Sequence, residues 1–359
     1  MKKVRYLFGL MLIFLMFFNL CSGYSKADTE NEISFSEAKQ TAQKYLETVA
    51  KNSFSKWENA NLGAGKKLYD FDGNLTSYLF QVKKNGQDQG YIIVSAIPQF
   101  PGILESTREG SNPYVNVKEN NGIYVGPLLH FSIEKNGYVK NLKENKLMEK
   151  SKLKSKGPLN KDNIQNLIKE NNKKMEQTNN IAPAAVSDYK YKYISGVPDY
   201  SWYIGCAPTS GANIVKYWDN NGYPNLVSSS TTTNQLIDSL ATYMKTNRDT
   251  GGTSVTNMVS GMKSYWSAKG YSATVTSYTG SFSTHKSEID AGRPDWVTTD
   301  NHPVWGDHAM TGVGYEEYYD TDKLTWYRQI ILHDTWSNTP TDYWIKWSSY
   351  FDYVIKVQP

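Results

Sequence analysis

The stretch SWYIGCAPTSGANIVKYW, Ser201 to Trp218, places Cys206 between a glycine and the first turn of a helix. Pro208 suits a first turn, Ala212, Val215, Tyr217 and Trp218 supply an apolar face, and Asn220 to Gly222 ends the run. Cys206 therefore sits at the N-cap or just beside it. There, unpaired amides and the positive end of the helix dipole favour thiolate over thiol.

The 359-residue chain has one other cysteine, Cys21. It lies in an N-terminal segment with Lys2, Lys3 and Arg5 followed by the apolar run Leu7 to Leu20, which is long enough for a signal core but short of the roughly 20 residues of a membrane span. Small residues at Ser25 and Ala27 suggest signal cleavage after residue 27, with Cys21 to Gly23 as the alternative. Leu20 before Cys21 argues against lipid attachment. The reading is a secreted, extracellular protein with no membrane anchor after cleavage and one remaining thiol, which cannot form an internal disulfide.

Beyond the signal the chain divides by composition. Residues 28–180 carry 22 Lys and Arg against 18 Asp and Glu, whereas residues 181–359 carry 13 against 17. Nine of the ten tryptophans follow residue 200. This balance offers no basic stripe for nucleic acid. The first half opens on a helix with a Ser34/Glu37 capping box and Ala38, Ala42, Tyr45, Leu46 and Val49 on one face, followed by strands at 77–84, 90–96 and 122–133. Residues 143–183 read as a solvated Lys/Asn-rich linker with a helix near 164–175. The domain reading is therefore signal peptide 1–27, a small α+β domain 28–142, the linker 143–183, and a second domain 184–359.

A thiolate nucleophile needs a base, and the base an orienting partner. His130 belongs to the first half and His285 lies in a polar loop, which leaves His302, His308 and His333. The alternation of DHAMTGVGY puts His308, Met310 and Gly312 on one strand face, with space beside the imidazole. His333 and Asp334 point to opposite faces, so Asp334 can meet His308 while His333 turns away. The candidate triad is Cys206, His308 and Asp334. His302, Asp307 and His308 match no standard metal spacing, and no metal or organic cofactor is expected. DNHPVWGD, residues 300–307, reads as a loop at the cleft rim, and the abundant Trp and Tyr as core rather than a carbohydrate groove.

GCAPTSGANIVKYW, DHAMTGVGYEE and LHDTWSNTPTDYWIKW together resemble papain-like cysteine peptidases. The GCxPTS signature and Asp in place of Asn are most similar to the bacteriocin-processing-peptidase-like branch, and KYWDNNGYPN is similar to streptopain. GYIIVSAIPQFPGILESTREG more loosely resembles streptopain-type propeptides. The resemblance implies a papain-like α+β fold, a helical half carrying the Cys and a β-rich half carrying the His and Asp, preceded by a propeptide-like domain. It implies Cys206 as nucleophile, His308 as acid/base, Asp334 as orienter and Trp336 as a cover over the His–Asp contact. The family's oxyanion Gln has no counterpart between Ile181 and Cys206, so Tyr200, Trp202 or Tyr203 would have to join the Cys206 amide. The expected activity is hydrolysis of a protein or peptide substrate by a zymogen whose own N-terminal domain is an intramolecular partner. The alternatives are a cell-wall peptide amidase and a weak or dead binding or inhibitory protein.

Overall fold

In the computed structural model, residues 32–98, 100–153, 159, 186–302, 306–321, 325–337, 339–348 and 351–359 are described, except the side chains of 186, 300–302, 306 and 307. Helix α1 (Phe35–Asn52) starts where the sequence signals it. Ser34 Oγ accepts from the Glu37 amide at 3.2 Å, and Glu37 Oε2 accepts from the Ser34 amide at 2.8 Å. Its buried face, Ala38, Ala42, Tyr45, Leu46 and Val49, packs on β1 (Asn61–Tyr69), β2 (Leu75–Lys84), β3 (Gln87–Ser95) and β4 (Ile103–Ser106).

Beyond β1 the sheet continues through β5 (Gly122–Tyr124), β6 (His130–Ile133), β7 (Tyr138–Asn141) and β8 (Lys146–Glu149). The strand expected over 122–133 is thus two strands. The chain bends between them because the Leu128 amide donates to the buried Glu105 carboxylate at 2.8 Å, with Leu128 at φ 65.

The C-terminal half contributes β9 (Val186–Tyr193), α2 (Cys206–Asn220), α3 (Thr233–Tyr243), α4 (Val255–Ala268), β10 (Thr274–Thr279), α5 (Phe282–Asp290), β11 (Asp295–His302), β12 (Gly306–Asp320), β13 (Thr325–His333), β14 (Tyr343–Lys346) and β15 (Phe351–Gln358). The strand order is β10-β15-β11-β12-β13-β14-β4-β3-β2-β1-β5-β6-β7-β8, with β9 pairing β12 at the side. Helices α2, α3 and α4 bury their apolar faces together with Trp296, Ile355 and Val357.

The two halves therefore share one sheet, and residues Ile33–Pro359 form one compact unit. The seam is β14 on β4, with Trp344 opposite Ser106 and Ile345 opposite Glu105. Residues 143–153, expected as linker, are built into this unit. β8 pairs with β7, Leu153 is buried beside Phe131 and Val139, and the Leu159 amide donates to Val125 O. The expected helix at 164–175 lies outside the described residues.

A buried ion pair also crosses the seam. Arg108 Nη2 donates to Glu316 Oε2 at 2.9 Å, with side chains 5% and 0% exposed, and the guanidinium lies 4.4 and 4.3 Å from the Trp57 and Trp344 ring centres. Arg108→Met strands the Glu316 charge and should cost about 3–5 kcal/mol in urea unfolding, most of it regained when Glu316→Leu is added. A single-variant loss below about 1 kcal/mol would show that the pair does not hold the seam.

Candidate active site

Gly205 caps α2 in an extended conformation and Cys206 is its first residue. The glycine is required by space, since a Cβ there would lie 2.4 Å from Gly251 O. Gly211 has the same reason: its Cβ would meet the Trp296 ring at 2.6 Å. Polar contacts then lock α2 to β12 and β11. Asn213 Nδ2 donates to Thr311 Oγ1 at 3.0 Å, Thr311 Oγ1 donates to Ser210 O at 3.2 Å, and Trp296 Nε1 donates to Ser210 Oγ at 2.8 Å. Cys206 and His308 consequently line one cleft of about 590 Å3, together with Trp202, Trp336, the 250–254 loop, Val255 and Met258.

His308 is buried at 3% exposure, and its Nε2 meets the main-chain O of Asp334 at 3.2 Å. A carbonyl only accepts, so Nε2 carries the proton and Nδ1 is the acceptor of the neutral ring. The Asp334 carboxylate points elsewhere. Its Oδ1 accepts from the Trp336 amide and Thr339 Oγ1, both at 2.9 Å, and its Oδ2 binds Lys143 Nζ at 2.5 Å. Thr335, a β-branched residue at φ 70, makes the sharp turn that presents the Asp334 carbonyl. Trp336 then stacks on the imidazole, 6.2 Å between centroids at 22°, and Trp202 stacks on Trp336 at 6.4 Å and 4°. Trp336, expected as a cover over the contact between His308 and the Asp334 side chain, lies against the imidazole, while that carboxylate is turned to Lys143, Thr339 and the Trp336 amide.

The other three histidines with described side chains have their partners elsewhere. His333 donates from Nδ1 to Pro198 O at 2.9 Å and meets Asp342 Oδ1 through Nε2 at 3.1 Å. Burial opposes charging it, but Asp342, Asp199 and the Pro198 carbonyl together outweigh burial and raise its pKa. His285 is not in a loop: it is buried on α5, which Ser281 caps, and pairs with Asp295 at 3.0 Å. That pair fills the space left by Gly312, whose Cβ would lie 2.1 Å from Asp295 Oδ1. The expected space beside His308 is therefore occupied further along the strand. His130 lies 2.9 Å from the Glu105 carboxylate in the N-terminal half. The His302 and Asp307 side chains, with the rest of the expected 300–307 rim, lie outside the described side chains.

Of the three aromatic candidates for oxyanion donor, Trp202 alone lines the cleft. The Tyr200 amide is given to Asn213 Oδ1, and Tyr203 is exposed. Two residues of the supposed linker join the site: Lys143 through Asp334, and Glu144 as part of the cleft lining. Nothing in their lysine-rich surroundings marked them.

Residues 190–354 match the model of the Peptidase_C39 like family. That segment contains Cys206, His308 and Asp334, and the match supports a cysteine peptidase, hence a hydrolase. The mixed α/β architecture of one large sheet and five α-helices among the described residues is compatible with a peptidase C39-like fold. No curated protein matches the chain.

Burial pushes the His308 pKa down to about 4; the charge and carbonyl of Asp334 oppose this, and the Lys143 cation adds to it. The ring is neutral at pH 7 and reluctant to accept a proton. Its ordinary value is about 6.5, so as pH falls the unfolded chain takes up this proton first. Its contribution is constant above about pH 6.5 and is lost as pH falls from there to about 4. The stability difference, wild type minus His308→Gln, should therefore decline over that window by up to about 1.4 kcal/mol per pH unit in urea titrations. A difference independent of pH would contradict the depressed value.

Proposed function

We propose that the chain is a secreted cysteine peptidase precursor acting on proteins or peptides through Cys206, His308 and Asp334. The observation that carries this reading is Cys206, at the N-terminus of a helix, lining one cleft with His308, whose ring Asp334 and Trp336 hold. The Cys206 thiolate attacks the amide carbon after its proton has passed to His308 Nδ1. His308 returns that proton to the leaving amine, leaving a thioester on Cys206. Water, deprotonated by the same imidazole, then releases the acid and regenerates the thiol. The helix end and the Cys206 amide supply oxyanion stabilisation, and Trp202, which lines the cleft, is the aromatic candidate for a further donor. No metal or organic cofactor takes part.

In this reading residues 1–27 direct export and are removed. The N-terminal half stays as an intramolecular partner until the chain is cut. The flanks limit where: Leu159 is buried and β9 is paired to β12, so the cut is expected between residues 160 and 185, which include Lys161, Lys169, Lys173 and Lys174.

Trypsin-treated wild type should hydrolyse casein in preference to purified murein, and Cys206→Ala should lower turnover on the order of 10^6-fold. Asp334→Ala should impair it strongly and Asp334→Asn less, because the Asn side-chain oxygen can still accept a hydrogen bond from the imidazole. Turnover of murein alone would make the protein a wall amidase, and turnover that survives Cys206→Ala would remove Cys206 from the chemistry.

A further inference from the structure

The turn between β7 and β8 enters the site of the other half. Asn141, 3% exposed, accepts from the Lys143 and Glu144 amides through Oδ1 at 2.9 and 3.1 Å, and Asn145 closes the turn at φ 59. Lys143 Nζ thereby reaches Asp334 Oδ2 with side chains 3% and 0% exposed, resting 4.4 Å from the Tyr343 ring centre. Glu144 lines the cleft beside Cys206 and His308.

Resting on the peptidase reading above, we propose that this turn is an inhibitory arm. Lys143 holds the Asp334 carboxylate away from His308, Glu144 occupies the cleft, and withdrawal of the arm switches the enzyme on. With Oδ2 on Lys143 and Oδ1 on Trp336 and Thr339, neither carboxylate oxygen serves the imidazole, which receives the weaker main-chain carbonyl. The reaction needs an imidazolium while the thiolate is present, and a buried cation on the neighbouring residue disfavours it. Removing Lys143 frees an oxygen for Nε2–H and removes that cation, so both effects act in one direction. A lysine suits the task, being a compact charge on a flexible stem that leaves as readily as it enters. Cutting the chain between 160 and 185 does not by itself lift the arm, because β4 remains paired to β14. Activation therefore requires the N-terminal half to leave or be digested.

The test compares casein turnover by the uncut full-length chain as wild type, Lys143→Met, Lys143→Arg and Asn141→Ala, with trypsin-treated wild type as reference and thermal unfolding as the check on folding. Lys143→Met should raise uncut turnover at least about tenfold, the ceiling being the roughly 10^4-fold scale of a misdirected triad carboxylate. Lys143→Arg should stay latent, since the cation is retained. Asn141→Ala, which loosens the turn without touching Asp334, should be partly active and decides the matter if Lys143→Met fails to fold. The arm is refuted if trypsin-treated wild type is active while the folded Lys143→Met and Asn141→Ala chains are no faster than uncut wild type, or if Lys143→Met is slower. A complete lack of turnover in every form, trypsin-treated wild type included, would instead overturn the peptidase reading and the arm with it.

Discussion

The side-chain amide of Asn213 is the joint on which the site depends. Its Nδ2 donates to Thr311 on β12, and its Oδ1 accepts the amide of Tyr200 in the loop that leads to Cys206. Cys206 lies seven residues before Asn213, two helical turns along one face, and His308 lies three residues before Thr311. One buried amide therefore fixes thiol, base and approach loop together. Gly211 permits it, because any side chain there would push α2 off Trp296. Buried polar contacts of this kind specify one arrangement, since shifting the helix would leave each group without a partner.

A second constraint acts across the molecule. Pairing of β4 with β14 makes the N-terminal half an extension of the sheet that carries His308, so its distant β7–β8 turn is held at a fixed place in the site. Arg108–Glu316 and Tyr45–Gln329 are buried along the same seam, where neither half alone could satisfy them. The small opposite net charges of the two halves are a faint outward sign of this contact; the specific pairs are what join them.

Local chemistry was legible in the sequence. Ser34 and Glu37 announced α1, the glycine and proline around Cys206 announced α2, and the alternation around His308 announced β12, because each signal depends on neighbours a few residues away. What depended on distant partners was not. The 122–133 strand breaks because Glu105 captures the Leu128 amide. The polar surroundings of His285 suggest a loop, although Ser281 is a cap signal for α5. The Asp334 side chain was expected on His308; the left-handed turn at Thr335 and a lysine 191 positions away give the ring the carbonyl instead. A lysine in a run of lysines gives no hint of burial, since its usual place is solvent.

The central claim is that Cys206 and His308 act as nucleophile and base, and it is tested most directly by the pH dependence of Cys206 alkylation in the trypsin-treated chain, with the labelled residue mapped by mass spectrometry. The account predicts fast alkylation of Cys206 near pH 6, inflecting well below the ordinary thiol value of about 8.5, and loss of that fast phase in His308→Ala. An inflection near 8.5 that His308→Ala leaves unchanged would contradict it, because Cys206 would then be a thiol without a base.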